Sequence, residues 1–450
     1  MSRPRRRHLF ASLVLLTFTA TAFTVERSPD GRGEVLLFPL VIADNGWDTY
    51  LNLRTDPADG QIVRLRFLEG RDGAVVNAFN VYLLPGENWG AAVTQSGSGT
   101  LLRIAEGSCV IADNGTRGGA GAEFPLDLDI GMVEAYVISG RLDEGLRQSN
   151  CTQFAQRWNP GGVWDANPQL NLEAASGVQT QLAGFLSLVN VEKGLSADLA
   201  ATALRNLNEG IAHTAPGDPS PNLAEASPVA VLPDGSEWLP ESGEGIDAVA
   251  KVLSPIETGA ISNEVTTLNS VGASTDWVVT FPLAGYSEYR SPREAEIDGK
   301  RRTCSSSYQR TDNQDGLRTT HEELPWYGWG GGETTGRPEA YMPVDYDPVP
   351  FFYVEPFLCF SVNVVSFGDM PPVLVASDSD RADRLTQIDS VSLSDLPGWH
   401  FRYTFIGAVL PGSDGLMPVI AFRATQFINS TLEGGTVRAN YLFLRPHEAR

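Results

Sequence analysis

The sequence predicts an all-β protein, mainly strand with a few short helices, built as β-sandwich units that carry long loops. Three observations point there. Several segments alternate apolar and polar residues with the period of two that a half-buried strand requires. Turn signals made of Gly, Pro, Asp and Asn separate them at roughly 8–12-residue intervals, the rhythm of a sandwich. The 45 glycines and 29 prolines in 450 residues suit a turn-rich β fold better than a helical one, and an apolar fraction of 42% can fill sizeable cores.

Residues 34–42 (Glu-Val-Leu-Leu-Phe-Pro-Leu-Val-Ile) read as a first strand. Pro39 pushes it to a sheet edge or into a bulge, because proline cannot donate to the ladder. Asp44-Asn-Gly46 is a turn, and in residues 48–55 Thr49, Leu51 and Leu53 share one face of a second strand. After the turn Asp56-Pro-Ala-Asp-Gly60 comes the strongest hairpin signal in the chain. Val63, Leu65 and Phe67 alternate with Arg64 and Arg66, Glu69-Gly-Arg-Asp-Gly73 turns, and Phe79, Val81 and Leu83 alternate with Asn80 and Tyr82. Arg64 and Arg66 are expected on the face opposite the apolar residues, paired with nearby carboxylates. Trp89–Val93, Thr100–Ile104 and Met132–Ile138 supply further strands, with a Gly-rich loop over 115–121.

The character changes after Asp143. Leu146–Trp158 reads as helix around Cys151 and stops at Asn159-Pro-Gly-Gly162. Gly184–Val191 returns to strand. Ser196–Leu207 has helical spacing, with Ser196 as cap and Leu199, Ala203 and Leu207 on one face. Thr214–Pro221 is a Pro-rich loop, and Ala248–Leu253 a short helix. Thr275-Asp-Trp-Val-Val-Thr-Phe281 opens a second β-rich stretch, followed by polar, Gly-rich loops over 286–350. Leu358–Phe367, Trp399–Phe405, Met417–Phe427 and Val437–Leu444 are later strands. The chain thus divides into a signal peptide (1–22), an N-terminal β-sandwich (23–145), a mixed helix and strand connecting region (146–270) and a C-terminal β-rich domain with long loops (271–450). The two β-rich parts form separate sandwiches or share one core.

The leader carries the localisation signal. Arg3, Arg5, Arg6 and Arg7 precede an apolar run from Leu9 to Phe23, 15 residues long and short for a membrane span, with a small-residue cleavage site at Ala20-Thr-Ala22. The expectation is an exported protein, periplasmic, on the cell surface or extracellular, with no transmembrane segment after cleavage. The formal charge is −22; removing the four leader arginines leaves 29 basic residues against 55 acidic ones, or −26. Such a surface repels phosphate backbones and argues against nucleic-acid binding. Four cysteines in an exported chain suggest two disulfides, with no CxxC pair to suggest zinc. Of the three connectivities, Cys109–Cys151 with Cys304–Cys359 is the local choice.

At Val63-Arg-Leu-Arg-Phe-Leu-Glu-Gly-Arg71 and Phe79-Asn-Val-Tyr-Leu-Leu-Pro85 the chain resembles an uncharacterised family of secreted proteins from Gram-negative bacteria. Further points of resemblance are Ser108-Cys109, Thr275–Pro282, Leu358–Val364 and Asn440-Tyr441, which span most of the mature chain. Leu-Ala-Gly after Pro282 departs from the basic tail the resemblance implies there. The resemblance implies export, and brings no catalytic residue with it. The opening unit is also similar to bacterial immunoglobulin-like modules, an analogy of fold alone.

Chemistry-bearing patterns are sparse. His213, His321, His400 and His447 form no HxH or HExxH pattern, and no GxSxG elbow occurs. Gly243-Glu-Gly-Ile-Asp-Ala248 matches GxGxxA in letters but follows no apolar strand. Asp378, Asp380 and Asp383 cluster as calcium ligands do, without an EF-hand's glycine and distal glutamate; Asp312-Asn-Gln-Asp-Gly316 is similar. No cofactor is implied, and calcium is the one ion these acidic turns could take. Asp127 and Asp129 would need a sugar cleft to act as a glycosidase pair. Trp326, Tyr327 and Trp329 on a Gly-rich loop could stack on a sugar ring or enter a partner surface; the alternative is that the indoles cover a sheet edge. The leading expectation is a non-catalytic exported protein, with an adhesion, structural or assembly role and a protein or glycan partner at the cell surface. The alternative is a secreted hydrolase acting on polysaccharide or protein through the loops of 286–350.

Overall fold

The hairpin read from residues 61–83 forms: Gln61–Glu69 pairs antiparallel with Val75–Leu83, Val63 opposite Val81 and Leu65 opposite Phe79. The computed structural model describes residues 23–55, 60–97, 99–107, 109–139, 142–170, 172, 182–208, 210–254, 260–267, 272–286, 289, 294–297, 300–303, 308–314, 317–321, 360–367, 372–375, 385–388, 399–406, 418–432 and 437–449. These residues form an all-β fold with a few short helices.

Two sheets make the first sandwich. The ten-stranded sheet runs, by residue numbers, 117–118, 109–112, 75–83, 61–69, 130–137, 35–42, 202–205, 25–27, 230–231, 237–238. The seven-stranded sheet runs 123–126, 99–106, 88–96, 47–54, 182–190, 195–200, with 32–33 beside 182–190. The strand Trp47–Arg54 shows why this pairing is stable. Trp47, Thr49, Leu51 and Leu53 are buried, while the residues between them are not. The buried Thr49 hydroxyl is satisfied locally: it donates to the Ile42 carbonyl at 2.8 Å and accepts the Ile42 N–H at 2.9 Å. The turn it braces has Asn45 and Gly46 both at positive φ, and a hydrogen bond from Trp47 N–H to Asp44 O closes it.

Pro39 lies on a strand inside the ten-stranded sheet, past Leu37 where the pairing with 202–205 ends, and on the other side the proline is accommodated by the bulge alternative. The ladder between Ile130–Val137 and Val35–Ile42 shifts register between Gly131 and Val133, passing over Pro39 and Leu40.

Ser196–Leu207 is not a helix. It forms two strands, Leu195–Ala200 and Thr202–Arg205, that enter different sheets. Leu199 lies opposite Leu186 on Leu182–Asn190, and Ala203 opposite Leu36. Leu195, Ala197 and Leu199 also fit a period of two, and two waiting sheet edges decide between the periods. The strands of these first two sheets therefore continue past residue 145, as far as Glu237–Trp238. The helix read over Leu146–Trp158 is two, Glu144–Arg147 and Cys151–Trp158, the second with Asn150 and Gln153 forming a reciprocal capping box, and Gly245–Leu253 contains the short helix read at 248–253.

The later strands form two five-stranded sheets, ordered 317–321, 308–314, 399–406, 260–267, 448–449 and 385–388, 362–367, 273–280, 420–432, 437–446. The second of these packs on the first sandwich. Val278, Val364, Phe422 and Ala424 belong to the same hydrophobic cluster as Phe38, Trp47 and Phe67. One core is shared, and the change near residue 271 is a change of sheet. Polar bonds cross the seam: Thr280 Oγ1 donates to Pro39 O at 2.6 Å, and the Trp47 indole N–H to Val373 O at 2.9 Å. The tip of the 61–83 hairpin joins too. Val362 N–H donates to Gly70 O at 2.8 Å and Ser361 N–H to Arg71 O at 3.1 Å. A Cβ on Gly73, itself at φ +73°, would lie 2.8 Å from the main-chain nitrogen of Gly285, so the approach requires glycine.

Candidate functional site

The residues of Gln61–Glu69 are buried on both faces, and the polar face is covered from far along the chain. Arg64 is fully buried. Its Nε donates to Asn80 Oδ1 at 2.6 Å, and its two Nη atoms donate to the carbonyls of Thr214, Ala215, Asp218 and Ser220 at 2.6–3.1 Å. Burial pulls the guanidinium pKa down to about 10, still protonated at neutral pH. The side chain is a strut under the Pro-rich loop, which as irregular backbone needs donors for its inward carbonyls. Arg66 reaches the Glu134 carboxylate at 3.0 Å, and the Tyr136 hydroxyl donates to the same oxygen at 2.9 Å. Burial pushes Glu134 upward, against the pull of Arg66 and Tyr136.

Beside this strut lies an aromatic cluster. Tyr82 stacks on Phe154 and Trp164 at 4.5 and 5.8 Å, and the Trp158 indole donates to Tyr82 Oη at 2.7 Å. His213 packs between Trp158 and Trp164, with Nδ1 2.6 Å from Pro168 O. Burial pulls its pKa down to about 4; the Pro168 carbonyl opposes this and Arg64 adds to it. The imidazole is therefore neutral and donates to Pro168. The Cys109–Cys151 disulfide ties the helix that carries Phe154 and Trp158 to the ten-stranded sheet.

On the other side of the seam Asp276 is buried. It accepts from Ser366 Oγ at 2.6 Å and Leu374 N–H at 2.8 Å. Burial raises its pKa to about 6 against these donors and Lys193. Its carboxylate holds residues 373–375 where Val373 O can accept the Trp47 indole.

A recess of about 210 Å³ opens at the same seam, walled by the ends of 25–27 and 245–253, the 199–203 segment, and residues 419–422 and 446–447. Leu199, Ala201, Leu253 and Phe422 are buried walls, and Arg27 is a solvent-exposed residue of the rim. Among the described residues Arg27 has no carboxylate partner. His447 backs the recess with its ring edge-on to Trp277 at 4.2 Å. Burial pulls its pKa down to about 3; a main-chain interaction at Phe422 opposes this and Arg423 adds to it.

Trp326, Tyr327, Trp329, Asp378, Asp380 and Asp383 lie outside the described residues, as do Cys304 and Cys359. Asp127 and Asp129 are both exposed, flanking the buried Leu128. Gly243 and Gly245 open the 245–253 helix, and a Cβ on Gly245 would meet Ala226 O at 1.7 Å. That glycine serves close packing against the 226 backbone, which accounts for the GxGxxA letters without a nucleotide. Among the described residues there is no group of three or more His, Cys, Asp or Glu placed to hold a metal ion, and no helix long and apolar enough to cross a membrane. Sequence reasoning missed Arg27, His447 and Asp276. No motif marks them, because each gains its setting from strands distant in the chain. Comparison with family models, curated proteins and solved structures finds no match.

Proposed function

We propose that the protein is exported and acts without catalysing a reaction, as a braced β-sandwich with an adhesion, structural or assembly role at the cell surface or in the envelope. The observation that carries this reading is the use of Arg64. A buried guanidinium in an active site keeps donors for a substrate or a developing charge. Here all three nitrogens are consumed by Asn80 and the 214–220 loop. Arg66, Glu134 and Asp276 are likewise bonded into the framework. The Cys109–Cys151 disulfide fits an oxidising compartment, in line with the basic and apolar leader. The resemblance to secreted proteins and to immunoglobulin-like modules points the same way. The partner is a protein or glycan met at the surface.

The test pairs binding with turnover. Immobilised protein is probed against glycans and envelope fractions from the native cell, and the soluble protein is incubated with polysaccharide and protein substrates. Saturable capture with no release of reducing ends or peptides is expected. Catalytic release of either product would overturn the proposal in favour of a hydrolase.

A further inference from the structure

The recess at the seam has features that bracing does not explain. Its walls come from several separated stretches of chain, and it sits where two β units meet, a common place for small-molecule sites. At about 210 Å³ it is smaller than the roughly 300 Å³ at which drug-sized pockets begin. It therefore suits a body of a few carbon atoms. Leu199, Ala201, Leu253 and Phe422 offer such a body an aliphatic and aromatic lining. The ring of His447, neutral at physiological pH, adds no charge.

The rim is different. In a chain with 55 acidic residues, Arg27 has no carboxylate partner among the described ones. Arg205, on the adjacent strand, pairs with Asp30. Partial burial lowers the Arg27 pKa, as expected of a cation partly removed from water. A guanidinium at the rim of a recess with apolar walls beneath suits a carboxylate head, which its planar fork can hold bidentately, with an apolar tail directed inward.

We propose that this recess binds a short-chain aliphatic carboxylate, headed by Arg27 and with its tail against Leu199, Ala201, Leu253 and Phe422. This goes beyond the envelope role and does not depend on it. A structural protein and an enzyme could equally carry such a site.

The test uses the full mature chain with sodium hexanoate, 1-hexanol and sodium acetate as probes, read by calorimetry and ligand-observed NMR. Arg27 and Ala200 are both exposed, so Arg27→Gln and Ala200→Trp alter the rim without opening the core; thermal melts check that both fold. Hexanoate is expected to bind with a Kd of about 1 mM or tighter, and acetate at least about tenfold more weakly. Arg27→Gln should weaken hexanoate about tenfold and leave hexanol unchanged. Ala200→Trp, which fills the recess, should abolish both. Absence of hexanoate binding, or binding that neither substitution changes, would overturn the proposal.

Discussion

Arg64 and Thr214 are 150 residues apart, yet one Nη of Arg64 donates to the Thr214 carbonyl at 2.8 Å and to its hydroxyl at 2.9 Å. The same guanidinium holds the carbonyls of Ala215, Asp218 and Ser220. One side chain on the central hairpin thus fixes the path of a loop that has no ladder of its own over these residues. Arg64→Met would leave several enclosed carbonyls without donors, and a loss of roughly 3–5 kcal/mol in urea unfolding is expected. Arg64→Lys keeps the charge but not the fork and should recover less than half of that. Limited proteolysis should cut both variants first within 206–221. Equal stability and unchanged cleavage would remove the strut.

Arg66 and Glu134 form a buried pair of a different kind. Removing either partner alone, by Arg66→Met or Glu134→Leu, should cost about 3–5 kcal/mol, because a charge is left enclosed. The double substitution should cost clearly less than the sum, since two apolar side chains replace two desolvated ions. Additive losses would mean that the two charges act independently.

How far this was legible in the sequence differs along one strand. Val63, Leu65 and Phe67 announce the apolar face of Gln61–Glu69, and each is buried, worth about 1.5–3 kcal/mol. Arg66 finds a carboxylate, as the charge balance suggests. Arg64 finds only oxygens of a loop and Asn80, because alternation reports which face is apolar and says nothing of what will cover the other. Ser196–Leu207 failed for a related reason. Its leucines satisfy both periods over so short a span, and the partners that decide, Leu186 and Leu36, lie outside it. The seam at Asp276 and Val373 was invisible, since its bonds join residues that no local pattern relates.

Asp276 and His213 should give opposite pH dependences. The folded pKa of Asp276 is raised to about 6 from 3.8, so the folded state takes up its proton first. Its contribution is full below about pH 4 and is lost as pH rises through 6, up to about 3 kcal/mol in all. His213 is lowered to about 4 from 6.5, so its contribution is present above about pH 6.5 and is lost as pH falls through 4. In urea unfolding between pH 4 and 7, Asp276→Asn should make stability rise more steeply with pH than in the native protein. His213→Phe should make it rise less steeply. Parallel curves for all three would show that neither group titrates as the packing requires.

The disulfide closes a separation of 42 residues. The loop-entropy model assigns such a closure about 4 kcal/mol. Cys109→Ser should lower stability by about that amount in oxidising buffer, and Cys109→Ser with Cys151→Ser by little more. A reducing agent should lower the native protein by at least as much. Insensitivity to reductant would show that the sheets hold the 151–158 helix without it.

The claim that an exported, disulfide-braced sandwich is the working form is tested most directly by the intact mass of the protein taken from fractionated native cells without reductant. The prediction is a chain in the envelope or external fraction, cleaved after Ala22, with Cys109 and Cys151 closed to alkylation. A cytoplasmic chain that retains its leader and alkylates at both cysteines would contradict it.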